Sequence, residues 1–313
     1  MSKENKVLYQ GTCCIRNSMN PPPRDSRRKH WIRLAFRILR LYMRPRVDPL
    51  EILTGNYDKI ASDFDKNWTQ YMHGASDELI QRLPLFHGAR CLDLCCGTGY
   101  ITARLFEKTV GETIGVDVSQ TMLDLAKTNC PDSCHFFQED VRAFLHKQPK
   151  DSFDIITCAW ALGYFPTRKF LTEIYRVIRP GGYLGVIDHS RHSNHKMVAL
   201  TYQVFAEQPA SLTSVLRPYY LRNSLSLVHK MQWCGFSVRD SWDAATTFYE
   251  PDASTAIARL LKTGSGLGGL DIMMDEKDRQ GFLQRYEQLV EEQCRTTRGI
   301  PIEYKIFAVL GTK

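Results

Sequence analysis

No apolar run in this chain of 313 residues approaches the roughly 18 to 20 that a membrane-spanning helix needs, so a helical integral membrane protein is not expected. Charge of one sign is scarce outside one segment. The formal net charge is +7, yet residues 24–46 alone carry nine Lys or Arg against one Asp, so the rest of the chain is close to neutral. A nucleic-acid binder would extend its basic face further, and no nucleic-acid partner is expected. The ten cysteines form no pairing framework: Cys13 and Cys14 adjoin, Cys95 and Cys96 adjoin, and the others scatter among apolar residues. That usage points to a reducing compartment, the cytoplasm. Cys130 and Cys134 have the spacing of half a zinc site, but no second Cys or His pair stands nearby, so no metal is expected. The first residues, with Lys3, Glu4, Asn5 and Lys6, lack the apolar stretch of a secretory signal. What is present is ordinary globular material, 43% hydrophobic and 24% charged, enough to bury a full core.

Residues 1–26 are polar, contain three consecutive prolines at 21–23 and show no hydrophobic period, which predicts a flexible leader. From Trp31 to Met43 the pattern becomes helical. Arg33, Arg37, Arg40 and Arg44 fall in one stripe, the remaining face is aromatic and aliphatic, and Pro45 stops the run. Such a helix, residues 31–44, is too short to span a bilayer. It suits an anionic membrane surface, the flank of the domain with its arginines in water, or a partner groove. Residues 1–50 are therefore read as leader plus basic amphipathic helix, and residues 51–313 as one domain.

From residue 57 onward strand-like and helix-like segments alternate, the mark of a parallel sheet with helices on its faces. Strands are expected at 91–95, 113–116, 134–137, 153–159 and 183–187, with two more at 236–242 and 304–310. Helical insertions are expected near 190–230 and 250–299. The informative stretch is Cys91-Leu92-Asp93-Leu94-Cys95-Cys96-Gly97-Thr98-Gly99-Tyr100. An apolar strand runs into a Gly-containing turn and then a helix, so a nucleotide-like ligand can approach the backbone there. The next strand ends in Asp117, placed to accept from both hydroxyls of a ribose. The third is followed by Glu139, Asp140 and Val141, where a carboxylate and a backbone N–H can read an adenine edge. Each acid has a plainer reading as a turn residue or helix cap. Their appearance in order at successive strand ends favours a nucleoside site.

These stretches resemble the class I S-adenosylmethionine-dependent methyltransferases, the branch with a Rossmann-like seven-stranded α/β sheet. Residues 57–61, 92–99, 116–119 with Met122, 139–141, 153–156 and 176–182 carry the likeness, over roughly two fifths of the chain. The resemblance implies S-adenosyl-L-methionine as cofactor. It implies that Asp93, Gly97, Thr98 and Gly99 hold the methionine end, and that Asp117 takes the ribose diol. Val118 and Met122 would lie against the adenine face, Asp140 and Val141 at its edge. Cys158 would offer a carbonyl to the methionine ammonium, and Tyr57 would sit on a lid helix. Cys95 departs from the family, which commonly has Gly there. A NAD or FAD site would show G-x-G-x-x-G instead of D-x-x-x-G-x-G.

Transfer from a sulfonium requires in-line placement of the nucleophile and exclusion of water more than acid chemistry. Trp160, Tyr164 and His189 are the candidate catalytic residues at the mouth, with His192 and His195 behind them. The Asp188-His189 step is read as a histidine poised beside a carboxylate to take a proton. Cys96 and Cys158 are read as packing thiols, and the glycines at 264–269 as a loop without the lysine of a phosphate site. Trp68, Tyr71, Tyr202, Phe205, Tyr219, Tyr220 and Leu221 would cover the pocket or pack the added helices. They favour a small or lipid-like acceptor; a protein methyltransferase and a non-catalytic cofactor-binding regulator are the alternatives.

Overall fold

The computed structural model describes residues 24–45, 72–262 and 269–313. Tyr57, Trp68, Tyr71, Gly264, Gly266 and Gly268 lie outside these residues, as does the leader up to residue 23. Seven strands form one sheet: β1 (Cys91–Leu94), β2 (Thr113–Asp117), β3 (Cys134–Gln138), β4 (Phe153–Ala159), β5 (Ile178–His189), β6 (Ser237–Glu250) and β7 (Ile300–Thr312). Their order is β3-β2-β1-β4-β5-β7-β6, and only β7 runs against the rest. Strand order reverses between β1 and β4, so a crevice opens there at the carboxyl ends.

Alternation along the central strands divides the core. Leu92, Leu94, Ile156, Cys158, Leu184 and Val186 point to one face, where Phe144, Leu145, Leu171, Ile174, Leu227 and Met231 close it. These come from α5 (Val141–Lys147), α6 (Thr167–Val177) and α8 (Ser224–Trp233). Cys91, Ile155, Ile187, Ala308 and Leu310 point to the other face, against Leu79, Ile80, Leu83, Ile101 and Leu105. Those lie on α2, described over 72–82, at Leu83 just after it, and on α3 (Tyr100–Thr109). β1, β2 and β4 are buried on both faces, as central parallel strands must be, whereas β3 at the edge of the sheet is largely exposed. β5 is longer than expected: it starts at Ile178, which the sequence pattern places at the end of a helix, and pairs there with Phe153.

The last two strands differ most from expectation. β5 pairs with β7 only as far as His189 opposite Ile306. Beyond that point Ala245–Glu250 and Ile300–Lys305 continue to pair with each other alone. A two-stranded projection thus rises past the carboxyl edge of the sheet. Ile300, Ile302 and Tyr304 on it seed a second core with helices α1 (Arg24–Tyr42), α7 (His195–Glu207), α9 (Ala253–Lys262), α10 (Leu270–Met273) and α11 (Glu276–Cys294). Between α3 and α5, α4 (Gln120–Asn129) completes the described helices.

The amphipathic helix expected over 31–44 begins at Arg24, so residues 24–26 are helical and not part of a flexible leader. It packs on the cap through Leu34 and Leu41, both buried. Phe205 on α7 is fully buried, its ring 4.7 Å from that of Phe282 on α11. We expect Phe205→Ala to destabilise the cap by about 3–5 kcal/mol in urea unfolding. Because the glycine turn belongs to a different core, nucleoside affinity should change less than about threefold, read by calorimetry.

Candidate active site at the carboxyl edge

β1 ends where the backbone turns left-handed. Cys95 (φ 57°), Gly97 (φ 52°) and Gly99 (φ 85°) all adopt positive φ within five residues. At Gly99 an added Cβ would stand 2.7 Å from Cys130 Sγ and 3.0 Å from Ala126 Cβ, so the inner side of the turn is packed. At Gly97 a Cβ would meet nothing among the described residues within 4 Å, so the other side is open to them. Cys95 holds a conformation natural to Gly, at a cost of about 1–2 kcal/mol for an L side chain.

The Asp117 carboxylate fixes this turn. Its Oδ2 accepts from Gly97 N at 3.0 Å and its Oδ1 from Ser119 N at 3.0 Å. Ser119, not Asp117, caps α4, its hydroxyl accepting from Met122 N at 3.2 Å. Asp93 lies beneath the turn, 2% exposed, and accepts from Thr157 on β4 (2.8 Å) and Thr102 on α3 (2.7 Å). Burial raises its pKa to about 7, against the two hydroxyl bonds. Asp140 caps α5, accepting from Arg142 N at 2.8 Å, and pairs with the Arg142 guanidinium. Val141 and Met122 are buried beside these acids, Val118 half-buried.

Across the crevice the ends of β4, β5 and β7 bring aromatic rings together. Trp160 follows β4 with φ 62°, a strained conformation for a bulky residue. Its indole N–H donates to Ser76 Oγ on α2 at 3.0 Å, and its ring centroid lies 4.9 Å from His189. His189 is in turn 5.8 Å from Tyr304. Burial pushes the His189 imidazole down to about 4, so it is neutral. The Asp188 carboxylate accepts from Gly163 N at 2.8 Å and from the His189 backbone N at 2.6 Å. Burial raises it to about 7. Asp188 thus braces the backbone of the turn after β4 through the Gly163 and His189 amides.

A strap over residues 212–223 crosses this edge. Tyr219 N donates to Gly163 O at 2.7 Å, and Arg191 N to Leu221 O at 2.8 Å. The Tyr220 ring leaves no room at Gly163 for a Cβ, which would stand 2.3 Å from it. Tyr164 sits at the end of the same turn, packed on the core.

A family model described as a methyltransferase domain matches residues 91–182. The demethylmenaquinone methyltransferase of Lactococcus lactis is 29% identical over 201 residues, covering 61% of this chain and 76% of the relative. The trans-aconitate 2-methyltransferase of Shigella dysenteriae is 30% identical over 243 residues, covering 73% and 90%. The chain belongs to the S-adenosylmethionine-dependent methyltransferases. Its fold recurs in the YcgJ protein of Bacillus subtilis (TM-score 0.52, 18% identity, 77% of this chain and 98% of that one). It recurs also in phosphoethanolamine N-methyltransferase 2 of Haemonchus contortus, solved with S-adenosylhomocysteine (TM-score 0.51, 16% identity, 86% and 61%).

As a member of this family the chain is an enzyme with S-adenosylmethionine as cofactor, and the edge just described fits that group. The turn is packed on one side and open at Gly97, with a carboxylate fixed next to it and Cys158 at the end of β4 facing the first core. The turn at Gly97, Thr98 and Gly99, together with Asp117, forms one rim, and Trp160 and His189 form another; Tyr164 packs on the first core. His192 and His195 stand apart: His195 faces Glu303 at 3.8 Å, and His192 is lowered by burial and by Arg191, Arg222 and Lys305. Tyr202 and Phe205 pack the cap. Cys96 and Cys158 have pKa values raised well above the ordinary thiol value by burial, so both are neutral packing groups. Among the described residues no cluster could hold a metal ion. Ser76, Gly163 and Tyr304 join the site without having been foreseen. Tyr304 reaches it through the antiparallel return of β7, whose register the sequence does not display.

Asp93 carries a testable consequence. Unfolded, it ionises near its ordinary 3.8; folded, near 7. The folded state therefore binds more protons between these values. Its contribution to stability is full below the unfolded value and is lost as pH rises through about 7. Asp93→Asn should gain stability relative to the parent from about pH 5 to about pH 8, in thermal melts. Asp117→Ala should weaken S-adenosylmethionine by tenfold or more in calorimetry, since a charge-assisted bond of about 1.5–3 kcal/mol is lost along with the fixed turn.

Proposed function

We propose that the enzyme transfers a methyl group from S-adenosylmethionine to a small lipophilic acceptor held between the Trp160–His189–Tyr304 rings and the 212–223 strap. The single observation that carries this reading is the aromatic cluster itself, Trp160, His189 and Tyr304 in ring contact at the carboxyl edge, with the strap bonded to the Gly163 turn and to Arg191. When bound, the sulfonium supplies an activated methyl carbon. The chain's part is to place the acceptor in line and keep water out.

In this reading the backbone of Gly97, Thr98 and Gly99 borders the methionine end, and Asp93 stiffens it from below through Thr102 and Thr157. An ionised carboxylate accepts about four hydrogen bonds, so Asp117 can add a ribose diol to its two amides. Val118 and Met122 would flank the adenine, with Asp140 and the Val141 N–H at its edge, Asp140 sharing its charge with Arg142. The Cys158 carbonyl would meet the methionine ammonium. Trp160, Tyr164 and His189 would hold the acceptor. With its pKa near 4, His189 takes a proton reluctantly. The acceptor should therefore bring its own nucleophile: a lone pair, a carboxylate or a stabilised enolate. The two curated relatives, named for demethylmenaquinone and trans-aconitate, both bear small-molecule names. We place the protein in the cytoplasm, a reading supported by eight described cysteines that are all free.

Product detection by mass spectrometry over a panel of quinones, lipophilic acids, phenols and amines tests this reading. Turnover of a lipophilic member is expected; cofactor binding with no turnover anywhere would favour the regulator. On the acceptor found, Asp188→Asn should lower kcat about tenfold or more by releasing the Gly163 turn, with cofactor affinity near that of the parent. The rate should show no inflection from His189 between about pH 6 and about pH 8, because an imidazole with a pKa near 4 stays neutral across that range.

A further inference from the structure

Helix α1 is docked by a narrow stripe. Leu34 and Leu41 are 1% and 3% exposed, and Ile38 packs on the same core. Arg37 Nε donates to Leu212 O at 2.8 Å, and Arg217 Nη2 donates to Leu41 O at 2.9 Å while its guanidinium lies 4.1 Å over the Tyr42 ring. These contacts fix the rotation of the helix, and therefore which residues face away.

What faces away is apolar. Trp31 (48%), Ile32 (47%), Phe36 (69%), Leu39 (58%), Tyr42 (49%) and Met43 (75%) are exposed together. At about 100° per residue they share a continuous arc of about 140° opposite and beside the docked stripe. Along one border of that arc run Lys29, Arg33, Arg40 and Arg44, all exposed. Among the described residues none of these four makes an ion pair. A helix that merely covered the cap would place polar side chains on its outer face. This one places its largest apolar groups there, edged by cations.

We propose that the outer face of α1 is a docking surface for an anionic lipid bilayer, lying parallel to the membrane with Trp31, Phe36, Leu39 and Met43 in the interfacial layer and the basic border among the headgroups. Charge complementarity selects this occupant. A protein groove taking four cations would need matched acids at fixed spacing, and a second copy of the helix would bring like charges together. An anionic surface meets the whole border at once, at roughly fivefold in partitioning per basic side chain. No helix among the described residues is long and apolar enough to cross a membrane, so the contact is peripheral. The helix also touches the strap at two points: Leu212, which opens it, and Arg217, which lies within it. Docking would set the strap, and the Gly163 turn beneath it, against the source of a lipophilic acceptor. The docking itself does not depend on which acceptor is used.

The test is flotation of the full chain with vesicles of phosphatidylcholine alone and of phosphatidylcholine with phosphatidylserine. The parent should partition onto the serine-containing vesicles, more weakly at high salt, with a blue shift of tryptophan emission that disappears in Trp31→Phe. Phe36→Ser with Met43→Ser should reduce partitioning about tenfold or more, since interfacial binding scales with buried apolar area. Arg33→Gln with Arg40→Gln should reduce it about twentyfold on anionic vesicles and leave neutral vesicles unaffected. The substituted side chains are exposed, so circular dichroism and cofactor titration should match the parent. The parent's comparison between the two vesicle types decides the matter even if a variant misfolds. Absence of partitioning, equal partitioning onto both vesicle types, or variants that float like the parent would overturn the proposal. So would a dimer in sedimentation velocity that the Phe36 and Met43 substitutions dissolve. Failure of methyl transfer would appear in the acceptor panel and leave these readings untouched.

Discussion

A carboxylate at the end of β2 holds the turn after β1 in a path that most side chains resist. Three residues in five have positive φ there, and one of them is a cysteine. Without a fixed acceptor for Gly97 N, that stretch would have little reason to keep so strained a course. With Asp117 bonded to it and to Ser119, the ends of two neighbouring strands become one rigid lip. Asp93 does the same job one layer down, joining β1 to β4 and α3 through two threonine hydroxyls. This edge is thus built from acids whose oxygens position backbone and hydroxyl groups before any ligand is considered. Buried carboxylates of this kind are costly when ionised, which is why Asp93 and Asp188 titrate so far above their ordinary range.

The opposite rim follows a different rule. Its rings come from three strands that are distant in sequence, and Trp160 is held in a left-handed conformation by its bond to Ser76. Strain of this kind persists only where surrounding contacts over-determine it. Here α2, β5 and β7 supply those contacts. The outcome is an aromatic wall whose histidine is neutral and whose carboxylate faces the backbone.

How much of this was legible depended on range. The four parallel strands over 91–159 announced themselves as short apolar runs, and the turn and its acids were readable because each is local to one strand end. Asp140 illustrates the limit of that reading: the residue is where a nucleoside site wants it, and it is also a helix cap paired with Arg142. Ala245–Glu250 carries no apolar alternation, so its extension of β6 depends on a partner some fifty residues later. Burial of His189 was equally invisible, since Tyr304 arrives on that same late strand. The helix at 24–42 was recognisable as amphipathic, but the choice of docked stripe was settled by Leu34 and Leu41 finding the cap.

The projecting ends of β6 and β7 make the height of the helical cap above the sheet edge a property of strand length. Each residue in a strand advances about 3.4 Å and reverses the face its side chain presents. Inserting one residue into both strands would turn Ile300, Ile302 and Tyr304 away from the cap. Inserting two would keep their orientation and lift the whole helical roof by roughly 7 Å. The same sheet could therefore carry its helical roof at different heights, in paired steps along this hairpin, while the lip anchored on β1 and β2 stays as it is.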